Sequence, residues 1–281
     1  MDQVNLGAWI DRSEITHGGI SQQKSKLVHA VLGARGTAEP KRGERLPALW
    51  HWYAFPPAVP MEELGTDGHP RLGDFMPPVR LNRRMWAGGS LEFLAPLHVG
   101  ETLRRRTRIA DIAEKNGKAG EMVLVSLDHE ISGAQGLAVR ERQDIVYMQI
   151  PDAYRAPKPI AAPQVPDLSE SVEMSNPLLF RYSSITFNAH RIHYDLAYTR
   201  EVEHYPDLVV HGPLQANLLM DMATRHRGFA PTLFSYRGVH PAFATDVITT
   251  VATKKSDVEW DLATVAGGAH QCMQASAMWE I

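Results

Sequence analysis

The chain has 281 residues, 44% hydrophobic and 22% charged, enough to bury one substantial core or two smaller ones. Twenty-nine basic residues against 32 acidic ones give a net charge of −3, which argues against a nucleic-acid partner. A single cysteine, Cys272, excludes an intrachain disulfide, no Cys/His spacing points to a metal, and no apolar run is long enough to cross a bilayer.

The opening Met-Asp-Gln-Val-Asn lacks a basic region followed by an apolar run, so a cytoplasmic protein without a membrane partner is expected. Ser13-Glu14-Ile15-Thr16 is predicted to begin a short helix, and Gln22–Leu32 fits either a helix or a strand. The aromatic run Trp50–Phe55 ends at Pro56-Pro57, which remove donors and restrict the backbone before them. Residues 60–80 carry Gly65, Gly68, Pro70, Gly73, Pro77 and Pro78, and long irregular segments of this kind are often functional. Arg83-Arg84-Met85-Trp86 followed by a Gly88-Gly89 turn suits an anionic ligand, and equally a solvated strand start with a core tryptophan.

From Ser90 the period becomes that of strands. Pro96–Glu101 reads as a turn, and Thr102–Ala113 as a long strand. Its Arg104, Arg106 and Arg108 share one alternating face, which suits a solvated sheet surface or, less commonly, phosphate contacts. Lys115-Asn116-Gly117-Lys118 signals a hairpin, Glu121–Ile131 a second strand with Met122, Leu124, Ser126 and Asp128 on one face, and Leu137–Met148 a third. Five prolines between Pro151 and Pro166 mark an extended connector. Leu168–Glu173 is a short element, and Arg181–Thr186 a predicted strand. Tyr194–Glu203 fits a short helix stopped at Tyr205-Pro206. His211-Gly212-Pro213 opens a longer helix with Leu214, Leu218, Met222 and Arg225 at helical spacing, ended by Gly228 and Pro231. Strands resume at Thr232–Val239, Val247–Ala252, Glu259–Val265 and Gln271–Trp279.

The halves share a weak signature. Phe93–Glu101 and Arg237–Asp246 each leave a strand through a proline and resume at an acidic residue, followed by three strands, so one helix-on-sheet module is duplicated. The helix of the first copy is hard to see, with Gln22–Leu32 and Met61–Leu64 as unsatisfactory candidates.

Residues 182–219 concentrate the chemistry: Thr186-Phe187-Asn188-Ala189-His190-Arg191-Ile192-His193-Tyr194-Asp195, then Val209-Val210-His211-Gly212. This stretch resembles the hydratase motif of MaoC-like acyl-thioester hydratases and dehydratases, which have the hot-dog fold. With Arg83–Gly89, it also resembles a narrower branch containing mesaconyl-C4-CoA (3-methylfumaryl-CoA) hydratases, itaconyl-CoA hydratases and mitochondrial-type 3-hydroxyacyl-thioester dehydratases. The likeness runs from about Leu49 to the C-terminus. It implies an α+β double hot-dog, two modules that each wrap a curved antiparallel sheet around a central helix. The expected division is a substrate-binding, non-catalytic module over residues 1–150, a linker over 151–170, and a module over 171–281 carrying the motif. It further implies a hydro-lyase with an acyl-CoA substrate bound between the modules, coenzyme A entering only as part of that substrate, and no other cofactor. A monomer and a homodimer of double modules both fit.

Hydrating an enoyl thioester needs a base for water, a proton for C2 and a donor for the thioester oxygen. His193 suits the proton chemistry, and Gly212, at a helix start, the oxyanion. The family's aspartate position is occupied by Asn188, which can orient water but cannot act as a general base. His193 therefore works nearly alone or with Asp195, Glu203 or His190. Arg191, His211, Arg83, Arg84 and Trp86 are candidate substrate contacts; Arg191 equally suits a structural pairing with Asp195 or Glu201, and His190 a structural role. Three functions remain open: hydration of mesaconyl-C4-CoA or itaconyl-CoA to citramalyl-CoA, dehydration of (3R)-hydroxyacyl thioesters of fatty chains on CoA or a carrier protein, and non-catalytic thioester binding.

Overall fold

The computed structural model describes residues 5–33, 37–117 and 120–280. Its ten strands are β1 Ser13–Gly18, β2 Arg83–Phe93, β3 Leu103–Gly117, β4 Gly120–Gly133, β5 Gly136–Met148, β6 Leu168–Val172, β7 Leu233–Gly238, β8 Ile248–Lys254, β9 Glu259–Ala266 and β10 His270–Met278. The helices are α1 Gln22–Leu32, α2 Asn176–Thr186, α3 Leu196–Glu201 and α4 Gly212–Arg227. All strands join one sheet in the order β1-β3-β4-β5-β2-β7-β10-β9-β8-β6. That order reads as a mirror about the antiparallel β2–β7 seam, where Gly88 pairs with Arg237 and Leu91 with Phe234. Each half is one curved antiparallel module, and together they form the expected double hot-dog.

The duplication extends to hydrogen bonds. Glu101 Oε1 accepts the His98 N–H at 2.5 Å, and Asp246 Oδ2 accepts the Phe243 N–H at 2.8 Å, so the acidic residue after each proline closes the same turn. A matching strand stub bridges to each turn. Arg45 bridges His98 in one module and Val209 bridges Phe243 in the other. After Val210 the chain enters the 16-residue α4. After Leu46 it makes only the 3₁₀ turn Trp50–Tyr53 before Pro56-Pro57. The central helical segment of the first module has thus shrunk to one turn. Neither Gln22–Leu32, which follows β1 as α2 follows β6, nor Met61–Glu63, a further 3₁₀ turn, occupies that position.

α4 is buried nearly all round: Leu214, Ala216, Leu219, Met220, Met222 and Ala223 lie in the core with Gln215 and Asn217. The two polar side chains are satisfied inside, Gln215 by the Thr264 hydroxyl at 2.6 Å and Asn217 by the Pro213 carbonyl at 2.8 Å.

Several expectations are corrected. Ser13–Thr16 is strand, not helix, because its alternating side chains let it pair with β3 from Ser13↔Arg108 onward. Arg181–Thr186 is helix, not strand. Ser175 caps α2, Pro177 sits in its first turn, and Leu179, Tyr182 and Ser183 bury one face. Gly88-Gly89 is no turn. It lies inside β2 beside a bulge, where a Cβ on Gly89 would stand 2.2 Å from the Arg142 carbonyl oxygen. Of Arg104, Arg106 and Arg108 on β3, two face acids: Arg108 reaches Asp11 at 2.8 Å and Asp128 at 2.6 Å, and Arg106 reaches Glu130 at 3.4 Å. The hairpin after β3 includes Lys118, which lies outside the described residues. No helix among the described residues is long and apolar enough to cross a membrane.

Glu101 also accepts the Ala134 N–H at 2.9 Å. Glu101→Ala is expected to lower stability by about 1 kcal/mol, mainly through the part-buried His98 N–H left without its partner, measured as the shift in denaturant midpoint at unchanged slope.

Candidate active site

The site is assembled where α2 ends. Phe187 adopts the left-handed conformation at φ 53°, the Asn188 N–H returns to the Ser183 carbonyl at 2.8 Å, and the chain turns out of the helix. Asn188 then closes a local turn, its Oδ1 accepting the His190 N–H at 3.0 Å. A 3₁₀ turn over Arg191–His193 comes next and buries His193.

His193 Nδ1 lies 2.7 Å from the Val209 carbonyl oxygen. A carbonyl only accepts, so Nδ1 carries the proton and Nε2 presents a lone pair. Burial holds this imidazole down at about 4, against the opposing effect of the Val209 hydrogen bond, and it is neutral at physiological pH. His211 stacks on it with ring centres 3.6 Å apart and planes at 19°. His211 Nε2 meets the Ser183 hydroxyl at 2.9 Å, and burial, then the neighbouring His193, pushes its pKa well below the usual histidine range. His211 therefore braces His193 and the entrance to α4.

Gly212 comes directly after. A Cβ there would stand 2.7 Å from Trp86 Cε3, so only glycine lets the helix start lie against the indole. Trp86 is held in turn by a stack on Tyr236, with ring centres 4.2 Å apart. No side chain caps α4, and Pro213 has no N–H, so Gly212 carries the backbone donor at the very start of the helix.

Other candidates are committed elsewhere. Arg191 binds Asp195 Oδ2 at 2.8 and 3.0 Å and lies over the Tyr198 ring, its centre 4.1 Å away. Asp195 also caps α3 through the Tyr198 N–H at 3.1 Å. Arg83 and Glu203 form a buried pair at 2.8 Å, which removes the Arg83 guanidinium from ligand binding. Burial raises the Glu203 pKa while Arg83 opposes it. Arg84, by contrast, is half-buried and has no hydrogen-bond or ion-pair partner among the described residues; its nearest ring is Tyr147, 6.0 Å from the guanidinium carbon.

Two residues escaped sequence reading. The loop Leu64–Pro70 folds back on itself, Gly65 N–H to His69 carbonyl at 2.7 Å, and carries Asp67 and His69. It packs on the motif: the Arg191 N–H bonds the Asp67 carbonyl at 2.9 Å, and a Cβ on Gly68 would lie 1.8 Å from the Ala189 oxygen. His69 Nδ1 lies 2.9 Å from Asp67 Oδ2, and its ring centre is 4.2 Å from that of His190, which stands 5.3 Å from His193. Asp67, His69 and His190 bring their polar atoms within 4.8 Å of one another, as does a separate His240, His270 and Cys272 group. At the first group Arg84 adds positive charge to Asp67, His69 and His190, which opposes a cation and favours proton chemistry. The only sequence signal for Asp67 and His69 was their place in a long irregular segment.

Residues 49–244 match the hydroxyacyl-thioester dehydratase type 2 family. The chain belongs to that family. It is a hot-dog hydro-lyase acting on acyl thioesters. A mesaconyl-C(4)-CoA hydratase from Chloroflexus aurantiacus is 41% identical over 249 residues, covering 86% of this chain and 87% of the relative. Among solved structures, a MaoC-like dehydratase from Phytophthora capsici superposes with a TM-score of 0.73 at 13% identity, covering 99% and 98% of the two chains. A double hot-dog protein from Mycobacterium tuberculosis superposes with a TM-score of 0.59 at 15% identity and covers 96% of each chain.

His193 and His129 are held at about 4, and His190 and His211 well below the ordinary 6.5, all chiefly by burial. Folding excludes their protons, so the unfolded chain binds more of them as pH falls below 6.5. The melting temperature should hold between pH 8 and 7, then decline from about pH 6.5 towards 4. A scanning-calorimetry series would check this, and equal melting temperatures at pH 7.5 and 5 would contradict it.

Proposed function

We propose that this protein catalyses the reversible hydration of a short branched dicarboxylic enoyl-CoA, of the mesaconyl-C4-CoA or itaconyl-CoA type, to citramalyl-CoA. The observation that carries the reading is Arg84, an unpaired half-buried guanidinium beside the histidine cluster. A cation kept partly out of water, with no carboxylate in hydrogen-bond contact among the described residues, suits a substrate that brings one. The 41% identity to the Chloroflexus aurantiacus mesaconyl-C(4)-CoA hydratase supports the same substrate class.

In this reading the thioester oxygen takes the Gly212 N–H at the start of α4, where the helix end favours the charge that develops during attack. Water sits on the Nε2 lone pair of His193, whose tautomer the Val209 carbonyl imposes. As the water oxygen bonds to C3, His193 takes its proton and the double-bond pair moves toward the thioester. Asn188 offers its amide N–H₂ to the water, since its Oδ1 is engaged by His190 N–H. Arg84 holds the distal carboxylate and so fixes the acyl chain across these groups. The division into a binding module over residues 1–150, a linker over 151–170 and a motif-bearing module over 171–281 is part of the proposal. Cys272, buried and without a disulfide partner, suits a cytoplasmic setting. The sheet edges β1 and β6 offer strands on which a homodimer could pair.

His193→Ala is expected to lower kcat by about a hundredfold or more with the fold intact; near-normal turnover would reject its role. Arg84→Leu should raise KM for mesaconyl-C4-CoA by about 10- to 100-fold, the loss of a charge-assisted hydrogen bond, and leave crotonyl-CoA nearly unaffected. Steady-state assays of wild type on mesaconyl-CoA, itaconyl-CoA and crotonyl-CoA test the substrate class. Preference for crotonyl-CoA would indicate a fatty-chain dehydratase, and binding without turnover a thioester-binding module.

A further inference from the structure

We propose that His69, backed by Asp67 from the N-terminal module, is the general acid that delivers the proton to C2, so that the acid and base of the reaction come from different modules. The inference rests on the hydratase reading and assigns an acid to work opposite the base His193.

The geometry carries it. Among the described residues, His69 is the one histidine of the cluster with a carboxylate on its ring: Asp67 Oδ2 stands 2.9 Å from Nδ1. Asp67 is itself fixed, its Oδ1 accepting the His69 N–H at 3.0 Å, so the loop holds carboxylate and imidazole as one rigid unit. With Nδ1–H directed at Asp67, Nε2 is the working nitrogen. His69 keeps a fifth of its side-chain surface exposed, unlike buried His190 and His193. Its ring lies against His190, and it is near enough to His193 for their charges to interact.

The two working histidines differ in what supports a positive charge. His193 has a carbonyl on Nδ1, a stacked neutral His211 on its face, and no acid. It therefore rests as the neutral base. Burial holds the His69 pKa below the ordinary histidine value, with the Asp67 hydrogen bond opposing it and Arg84 adding to it, and an imidazolium formed there has Asp67 as a counter-charge at 2.9 Å, which one on His193 lacks. The charged and titratable groups facing His69 are Asp67 on its own loop, Arg84 on β2, and His190 and His193 on the motif segment. Glu203, Tyr147 and Tyr198 lie close enough to act on Asp67 or be acted on by it. The different partners on Nδ1, a carboxylate for His69 and a carbonyl for His193, assign acid and base.

The step balances. His193 Nε2 takes a proton from water as the O–C3 bond forms, the C2–C3 π pair becomes the C1–C2 π bond of an enolate and the carbonyl π pair moves onto the thioester oxygen. That oxygen re-forms its carbonyl as C2 takes the proton from His69 Nε2. His193 then releases its proton to solvent and His69 regains one, with no oxidant, reductant or further reactant.

The test uses the full chain, with mesaconyl-C4-CoA as substrate and kcat and KM measured from pH 4.5 to 9. His69→Gln should lower kcat by about a hundredfold or more at little-changed KM and abolish the alkaline limb of the kcat/KM profile. Asp67→Asn keeps the shape of the hydrogen-bonding partner but removes its charge. It should retain measurable turnover with the alkaline limb moved to lower pH, because the imidazolium has lost its counter-charge. This second variant decides the matter should His69→Gln fold poorly. Turnover within about threefold of wild type in His69→Gln, or an unmoved alkaline limb in Asp67→Asn, would overturn the assignment while wild-type and His193→Ala rates still upheld the hydratase. Absence of wild-type turnover on every enoyl-CoA would overturn both.

Discussion

One hydrogen bond sets the terms of this site: the 2.7 Å contact from His193 Nδ1 to the Val209 carbonyl. It fixes the tautomer, aims Nε2, and binds the motif turn to the strand stub that feeds α4. Val209 is itself held on both sides, its N–H by the Ile192 carbonyl at 2.9 Å and its backbone by a bridge to Phe243. The turn at Phe243 is closed by Asp246, the acidic residue of the internal repeat. The chemistry therefore rests on the same β-turn that the first module builds with Glu101. A helix start, a neutral histidine and their stacked neighbour His211 are positioned together because one short stub carries all three.

The two modules share a topology and diverge after that stub. In the C-terminal module the apolar run Leu214–Ala223 sustains a long buried helix. In the N-terminal module, aromatic residues and Pro56-Pro57 stop the helix after one turn. The chain that α4 spends on its central helix is free in the first module to run as the irregular segment 60–80. That segment reaches the motif of the other module, where Gly68 seats against Ala189 with no room for a side chain. Loss of a helix in one copy has thus supplied a loop to the site of the other.

Arginine roles separate by the same physical test, whether the guanidinium already has a carboxylate. Arg83 has Glu203, Arg191 has Asp195, and the β3 residues Arg106 and Arg108 have acids across the strand. Arg84 has none within ion-pair distance among the described residues; its electrostatic counterpart is Asp67, and a ligand carboxylate would complete its pairing.

By itself the sequence determined the class and the local chemistry. Periodicity marked eight of the ten strands at least in part; β6 reads only as a short element, β1 reads as helix and Arg181–Thr186 as strand, because short segments with mixed spacing satisfy both patterns. The resemblance pointed to Asn188, His193 and Gly212, which the structure gathers around the end of α2 and the start of α4, and the repeat around Glu101 and Asp246 was legible from the sequence. Only the tertiary structure decided which polar groups remain available. Arg83 and Arg84 are adjacent and chemically identical in sequence, and one is paired while the other is not. The missing carboxylate was sought near residue 188, at Asp195 or Glu203. The structure places the Asp67 carboxylate, from the other module, on His69 beside the motif, because the packing of one module's loop on the other's backbone is a contact that spacing along a chain does not encode.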